Sequence, residues 1–126
     1  MWSSDLDEAR RLLEQAEREV DPKRKLAALK EGIYILDEYA SDPSVSDQQR
    51  NYALNFRRSN VRRLLDQLVE MHDIQFYEWF GFNALLIRFE TDLKAVLEED
   101  ASLKDKFSRF FSLWNDELME RSQRSE

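Results

Sequence analysis

The stretch Ser46-Asp47-Gln48-Gln49-Arg50-Asn51-Tyr52-Ala53-Leu54-Asn55-Phe56-Arg57-Arg58-Ser59-Asn60-Val61-Arg62-Arg63-Leu64-Leu65-Asp66-Gln67-Leu68-Val69-Glu70-Met71 decides the fold class. Ser46 with Gln49 three residues on is a capping box, in which each side chain satisfies a backbone N–H that the first helical turn leaves open. At ~100° per residue from Arg50, the side chains of Ala53, Leu54, Val61, Leu64, Leu65, Leu68 and Met71 fall within about 60° of one direction. Neither Gly nor Pro interrupts the run. One apolar stripe at helical period, held over about five turns, predicts a long amphipathic helix over 46–71.

The flanks repeat the pattern. Upstream, Leu6, Ala9, Leu12 or Leu13, Ala16 and Val20 recur at i, i+3, i+4 and i+7, predicting a helix over 4–20. Asp21-Pro22 reads as an N-cap followed by Pro at the first helical position, where its missing N–H costs nothing. It opens a helix over 22–41 with Leu26, Leu29, Ile33, Leu36 and Ala40 on one face, closed before Asp42-Pro43 because the residue preceding Pro avoids helical angles. Downstream, 74–98 is apolar nearly all round, and Ser102 with Asp105 caps a fifth helix over 102–119. That helix carries Leu103, Phe107, Phe110, Phe111, Trp114 and Leu118. The boundary at His72-Asp73 has no Gly or Pro, so the third and fourth helices join there either through a break or as one kinked rod. Residues 121–126 read as a frayed tail. The expectation is an all-α, single-domain bundle of about five antiparallel helices.

Composition narrows the chemistry. The 126 residues suit one domain, and 2 Gly with 2 Pro leave too little turn chemistry for a many-stranded sheet. No Cys excludes disulfides, thiolate metal sites and cysteine nucleophiles, and a single His excludes any site needing two. Di-iron bundles need Glu-x-x-His twice, yet the residue three before His72 is Val69. Gly32 and Gly81 alone cannot build a phosphate loop. Glu98-Glu99-Asp100 reads as a solvated helix end. The expectation is therefore no metal, no cofactor and no enzymatic activity. A formal charge of −7 argues against non-specific binding of nucleic acid. The most apolar window, Ile74 to Phe89, is broken by Gln75, Glu78, Asn83 and Arg88 and is too polar to span a bilayer. With no leader pattern at Met1-Trp2-Ser3-Ser4-Asp5, the expected location is the cytoplasm.

The stretch Gly32-Ile33-Tyr34-Ile35-Leu36-Asp37-Glu38-Tyr39-Ala40-Ser41-Asp42-Pro43 resembles the second helix and closing Pro of a tetratricopeptide repeat. The three-helix layout of residues 1–70 also resembles the MIT modules that bind short helical peptides in a groove. A 34-residue shift places Asp73 over Tyr39 and reproduces no second repeat. The resemblance implies a peptide-binding scaffold, and no binding residues are carried over from it.

Several residues stand out against this frame. Arg57 lies inside the apolar stripe of the third helix, and a guanidinium has no neutral form, so it needs a carboxylate or a bound anion. Glu78 is flanked in helical projection by Phe82, Leu85, Phe89 and Val96, which makes it the expected partner. Tyr52, Phe56 and Arg63 sit far from the main stripe, either sandwiched between helices or forming an aromatic strip with a basic end. Arg50, Arg57, Arg58, Arg62 and Arg63 concentrate positive charge in an acidic chain, as a flank neutralised by neighbouring acids or as a docking surface. The fourth helix holds Phe76, Tyr77, Trp79, Phe80, Phe82 and Phe89, with a narrow polar strip of Gly81, Arg88 and Asp92. That reads as a core helix or as an interface.

Two functions follow as expectations. The first is a protein-interaction module, binding a protein partner or a second copy of itself through Tyr52, Phe56, Arg58, Arg62 and Arg63. The second is a small-molecule or anion site near Arg57 and Glu78.

Overall fold

The computed structural model describes the backbone of residues 4–71 and 76–124, and side chains over 6–71 and 78–112. Every regular element in this range is helical: α1 (Ser4–Arg18), α2 (Pro22–Ser41), α3 (Asp47–Leu68), α4 (Phe76–Arg88), α5 (Glu90–Glu99) and α6 (Ala101–Arg124). The all-α class read from periodicity is what the chain adopts.

The punctuation residues act as their chemistry dictates. Asp21 caps α2 by accepting the Lys23 N–H at 3.1 Å, with Pro22 at the first helical position. Ser46 caps α3 by accepting the Gln49 N–H at 3.2 Å. Between these caps Arg50 closes the α2–α3 turn. Its guanidinium donates to the carbonyls of Ala40, Asp42 and Val45, which the end of α2 and the turn leave without helical partners.

Helix α2 is the centre of the first three helices and packs closely along both α1 and α3. Leu6, Ala9, Leu13 and Ala16 from α1 meet Leu26, Leu29, Ile33 and Leu36 from α2, with Val61, Leu64, Leu65 and Leu68 of α3 in the same core. Gly32 lets α1 approach: a Cβ there would lie 2.7–2.8 Å from the Leu13 side chain. Polar contacts give the helix directions. Asp37 meets Arg57 and Ala40 meets Arg50, so α2 and α3 run antiparallel. Lys23 meets Glu78 and Asp37 meets Arg88, so α4 runs parallel to α2. Helix α6 returns to α4 by placing Phe110 and Phe111 edge-on to Trp79, with centroids 5.6 and 6.1 Å apart.

The structure departs from the sequence reading at definite points. Helix α1 stops at Arg18, so Val20 leaves the expected apolar stripe and is 91% exposed in the connection. Helix α3 ends at Leu68, with Val69 and Glu70 in a turn, while the boundary at His72-Asp73 lies outside the described residues. The expected fourth helix is two, because Phe89 takes φ −105° and ψ 38°. Those angles lie outside the helical region although the sequence has no Gly or Pro there. The last helix is capped by Asp100, which accepts the Leu103 N–H at 3.0 Å, and not by Ser102. It continues to Arg124, past the expected end, since nothing after Leu118 breaks a helix.

Helix α4 is not enclosed all round. Trp79, Phe82, Leu85, Leu86 and Phe89 are buried, but Phe80 is 54% and Ile87 68% exposed. Its polar strip meets neighbouring helices instead, with Arg88 still exposed. Arg88 reaches Asp37, Lys30 lies 2.6 Å from where a Cβ on Gly81 would sit, and Asp92, now in α5, is buried. No described helix is long and apolar enough to cross a membrane.

Candidate functional site

The charged cluster inside the helices decides which arginines remain available at the surface. Arg57 projects from α3 between two carboxylates. Its Nε donates to Asp92 Oδ2 at 2.7 Å and its Nη1 to Asp37 Oδ1 at 2.9 Å. The Phe89 ring lies under the guanidinium, 4.9 Å from ring centre to Cζ. Asp92 is 2% exposed and also accepts from Arg58 Nε at 3.3 Å. Asp37 accepts a second arginine, Arg88, at 2.6 and 3.2 Å. The Asp37 carboxylate raises the Arg88 pKa above its already high ordinary value, through the hydrogen bond first and its charge second. Four helices, α2, α3, α4 and α5, thus meet on one alternating set of charges.

This corrects the expected Arg57–Glu78 pair. Glu78 sits at the start of α4 and is met by Lys23 at 3.3 Å. Arg57 stands beside Phe89, eleven residues later and about 16 Å further along the helix axis. The parallel register of α4 with α2 puts Glu78 at the wrong end of the molecule to reach Arg57. The requirement for a carboxylate was legible in the sequence, but the identity of the carboxylate was not. With both partners in place, the charge of Arg57 is met by carboxylates of α2 and α5.

The five arginines of α3 separate in the same way. Arg50 clamps the turn after α2. Arg57 and Arg58 hold Asp92, and Arg62 donates to Asp100 at 2.8 Å, tying α3 to the α5–α6 junction. Arg58 and Arg62 are therefore parted from Tyr52, Phe56 and Arg63, which point to the other side of α3. Glu98-Glu99-Asp100 is correspondingly not only a solvated end, since Asp100 both caps α6 and binds Arg62.

On that other side an open groove of ≈ 640 Å³ runs between α1 and α3. Leu13, Tyr52 and Phe56 form its apolar surface, and Arg10, Glu14, Glu17, Ser59, Asn60 and Arg63 complete its walls. Tyr52 and Phe56, one turn apart on α3, stack with ring centres 5.8 Å apart and planes 13° from parallel. Arg10 lies over the Tyr52 ring at 5.4 Å and donates to its hydroxyl at 2.7 Å. Arg63 donates to Asn60 Oδ1 at 2.6 Å and to the Leu13 carbonyl at 3.5 Å, and stands 3.7 Å from Glu17. Asn60 is itself anchored, its side-chain amide donating to the Phe56 carbonyl at 2.8 Å. The aromatic pair is half-buried: α1 covers one edge and leaves the other open, an outcome between the two that the helical projection offered.

The groove walls come from residues spaced by one helical turn on each side, Arg10, Glu14 and Glu17 on α1 and Tyr52, Phe56, Ser59 and Arg63 on α3. From Tyr52 to Arg63 is about 16 Å of helix, roughly three turns. The contribution of α1 was invisible in sequence, because Arg10, Glu14 and Glu17 look like any solvated helix face. Their only signal is the i, i+4, i+7 spacing beside Leu13. Among the described residues no group of three or more His, Asp and Glu is placed to hold a metal ion.

No family model, curated protein or solved structure matches this chain. The groove has to be read from its own chemistry.

Proposed function

We propose that this chain is a helical protein-interaction module, and that the groove between α1 and α3 receives a helical segment of a partner protein. One observation carries the reading: the stacked Tyr52–Phe56 pair stays partly exposed on the floor of a groove whose wall arginines, Arg10 and Arg63, are held in place by hydrogen bonds. Aromatic and Arg side chains are enriched among the residues that dominate binding energy at protein interfaces. Walls built from residues one helical turn apart suit an amphipathic helix laid between them. The wall donors are engaged with Tyr52, Asn60, Leu13 and Glu17, which supports a binding surface over a catalytic one. Of the arginine surface read from sequence, Arg63 belongs to this site, and Arg58 and Arg62 serve the packing of α5 and α6.

The test blocks the groove without touching the core. Ser59 is exposed on the groove wall, and Trp differs little from Ser in helix propensity. Ser59→Trp should fill the groove and leave the melting temperature unchanged. A displayed library of 16-residue amphipathic helices, selected on the wild-type chain, should yield peptides that bind it and fail to bind the folded Ser59→Trp variant. Failure to enrich any peptide, or enriched peptides that bind both forms equally, would overturn the reading.

A further inference from the structure

Helices α4 and α5 are parted by Phe89 alone, and nothing in the local sequence demands the break. Apolar spacing predicts one helix over 74–98, and from Phe82 to Glu99 the chain has neither Gly nor Pro. Yet Phe89 takes φ −105° and ψ 38°, and no side chain caps α5 there. The first N–H groups of α5 therefore lack the acceptor that Asp21, Ser46 and Asp100 supply to the helices they cap. Helical angles at Phe89 would merge Phe76–Arg88 and Glu90–Glu99 into one rod of about 36 Å and restore those bonds. The contacts that fold α5 and α6 back are all tertiary. Asp92 meets Arg57 at 2.7 Å and Arg58 at 3.3 Å, Asp100 meets Arg62 at 2.8 Å, and Phe110 packs edge-on to Trp79. None of these contacts requires both groups to belong to the same chain.

We infer that this chain exchanges α5 and α6 with a second copy, forming a dimer in which α4 and α5 of each chain run on as one helix through Phe89. The complementarity is already built: acids on the exchanged arm, arginines on the α3 that receives it. Asp92 would meet Arg57 and Arg58 of the partner subunit, and Asp100 would meet Arg62 of the partner subunit. The dimer thus keeps the ion pairs of the monomer and gains the helical bonds missing at the break, which is why exchange of an identical element is a low-cost route to a dimer. The outer face of α4 fits the same partner. Ala84 and Ile87 are exposed, Ile87 by 68%, and Thr91 continues their line one turn beyond Ile87 in a straight rod. Two antiparallel rods crossing near Phe89 would cover Ile87 with its own copy. Neither α1 nor its groove with α3 takes part in the exchange, so the dimer carries two grooves.

The full chain, refolded from urea at about millimolar concentration, comparable with the effective concentration of a short connection, should give a dimer in light scattering behind a sizing column. That dimer should persist on dilution, because release requires α5 and α6 to leave α3. Glu90→Pro separates the two forms. Glu90 is exposed, holds the first position of α5 where Pro is tolerated, and loses only a surface pair with Lys94, so the variant monomer should melt like the wild type. In a continuous rod the same Pro lies mid-helix, removes a hydrogen bond and clashes with the preceding turn, and the dimer yield should fall by about a hundredfold or more. The chain has no Cys, so Glu70→Cys/Lys106→Cys, at an exposed pair joining the end of α3 to α6, reports which chain supplies the arm. A short bis-maleimide should link this variant between chains in the dimer fraction and within one chain in the monomer fraction. A chain that stays monomeric after refolding at this concentration, or a dimer that Glu90→Pro leaves intact, would overturn the inference. A dimer cross-linked only within chains would also overturn it, and would assign association to the exposed face of α4 without exchange.

Discussion

Replacing Arg57 by methionine removes the one cation that spans Asp37 and Asp92, and its cost follows from what each carboxylate keeps. Asp37 retains Arg88 through two nitrogens at 2.6 and 3.2 Å and lies near water. Asp92 is left with Arg58 alone at 3.3 Å while 2% exposed, so a buried carboxylate loses its shortest hydrogen bond. Removing one partner of a buried ion pair costs about 3–5 kcal/mol, mostly as the penalty of the charge left behind. At ~4 °C per kcal/mol for a chain of this length, the melting temperature should fall by roughly 12–20 °C. The assay is urea and thermal unfolding followed by circular dichroism at 222 nm. The decisive comparison is the double variant Arg57→Met/Asp92→Leu, which replaces the pair by apolar groups. If the cost comes from stranded charge, the second substitution recovers most of the loss, because an apolar replacement of a buried pair is often neutral or better. A single variant losing less than about 1 kcal/mol, or a double variant no more stable than the single, would refute the argument that this cluster holds α5 against α3. Helix α5 is the sensitive element, since Asp92 and Val96 are its fully buried residues.

Other outcomes follow from local chemistry. Gly32→Ala adds a methyl 2.7–2.8 Å from Leu13, and the clash of ~1–3 kcal/mol should exceed the ~1 kcal/mol gained in helix propensity, a net loss visible as a lower urea midpoint. Ser46→Ala removes the α3 cap and should cost about 1 kcal/mol, whereas Ser102→Ala should cost almost nothing because Asp100 is the cap of α6; equal losses in the two variants would contradict this. The Asp42 carboxyl accepts the Ser44 N–H and hydroxyl and is held below the usual carboxylate value, chiefly by the backbone hydrogen bond, then by the hydroxyl and the nearby Arg50. A depressed folded value means that its contribution is present at neutral pH and disappears as pH falls through that value. A carboxyl-carbon NMR titration should place the Asp42 midpoint below about 3.9 in the wild type, and a midpoint at or above this would refute the assignment.

How far the fold could be read in advance depended on how local its causes are. Asp21-Pro22, Ser46 with Gln49, and Pro43 act over three or four residues, so the bounds of α2 and the start of α3 were legible. The break at Phe89 was not, because no Gly, Pro or capping residue marks it. What accompanies it is tertiary: the Phe89 ring packs 5.7 Å from Tyr34 and beneath Arg57, and Asp92 in α5 meets α3. Tertiary placement also hid half of the groove. Tyr52, Phe56 and Arg63 could be singled out as misplaced on their own helix, but Arg10, Glu14 and Glu17 become walls only through the angle at which α1 meets α3.

The amino-acid sequence by itself determined that this chain is helical, which faces of α1, α2 and α3 are apolar, and that Arg57 requires a carboxylate. Each follows from spacing along one helix or from the chemistry of one side chain. Only the tertiary structure decided that the carboxylates are Asp37 and Asp92 and not Glu78, that Phe80 and Ile87 face outward, and that Arg58 and Arg62 are spent on packing while Arg63 lines an open groove. Partner choice depends on the register and direction of one helix against another. In a bundle these are set by the fit of many side chains together, which periodicity along a single helix does not contain.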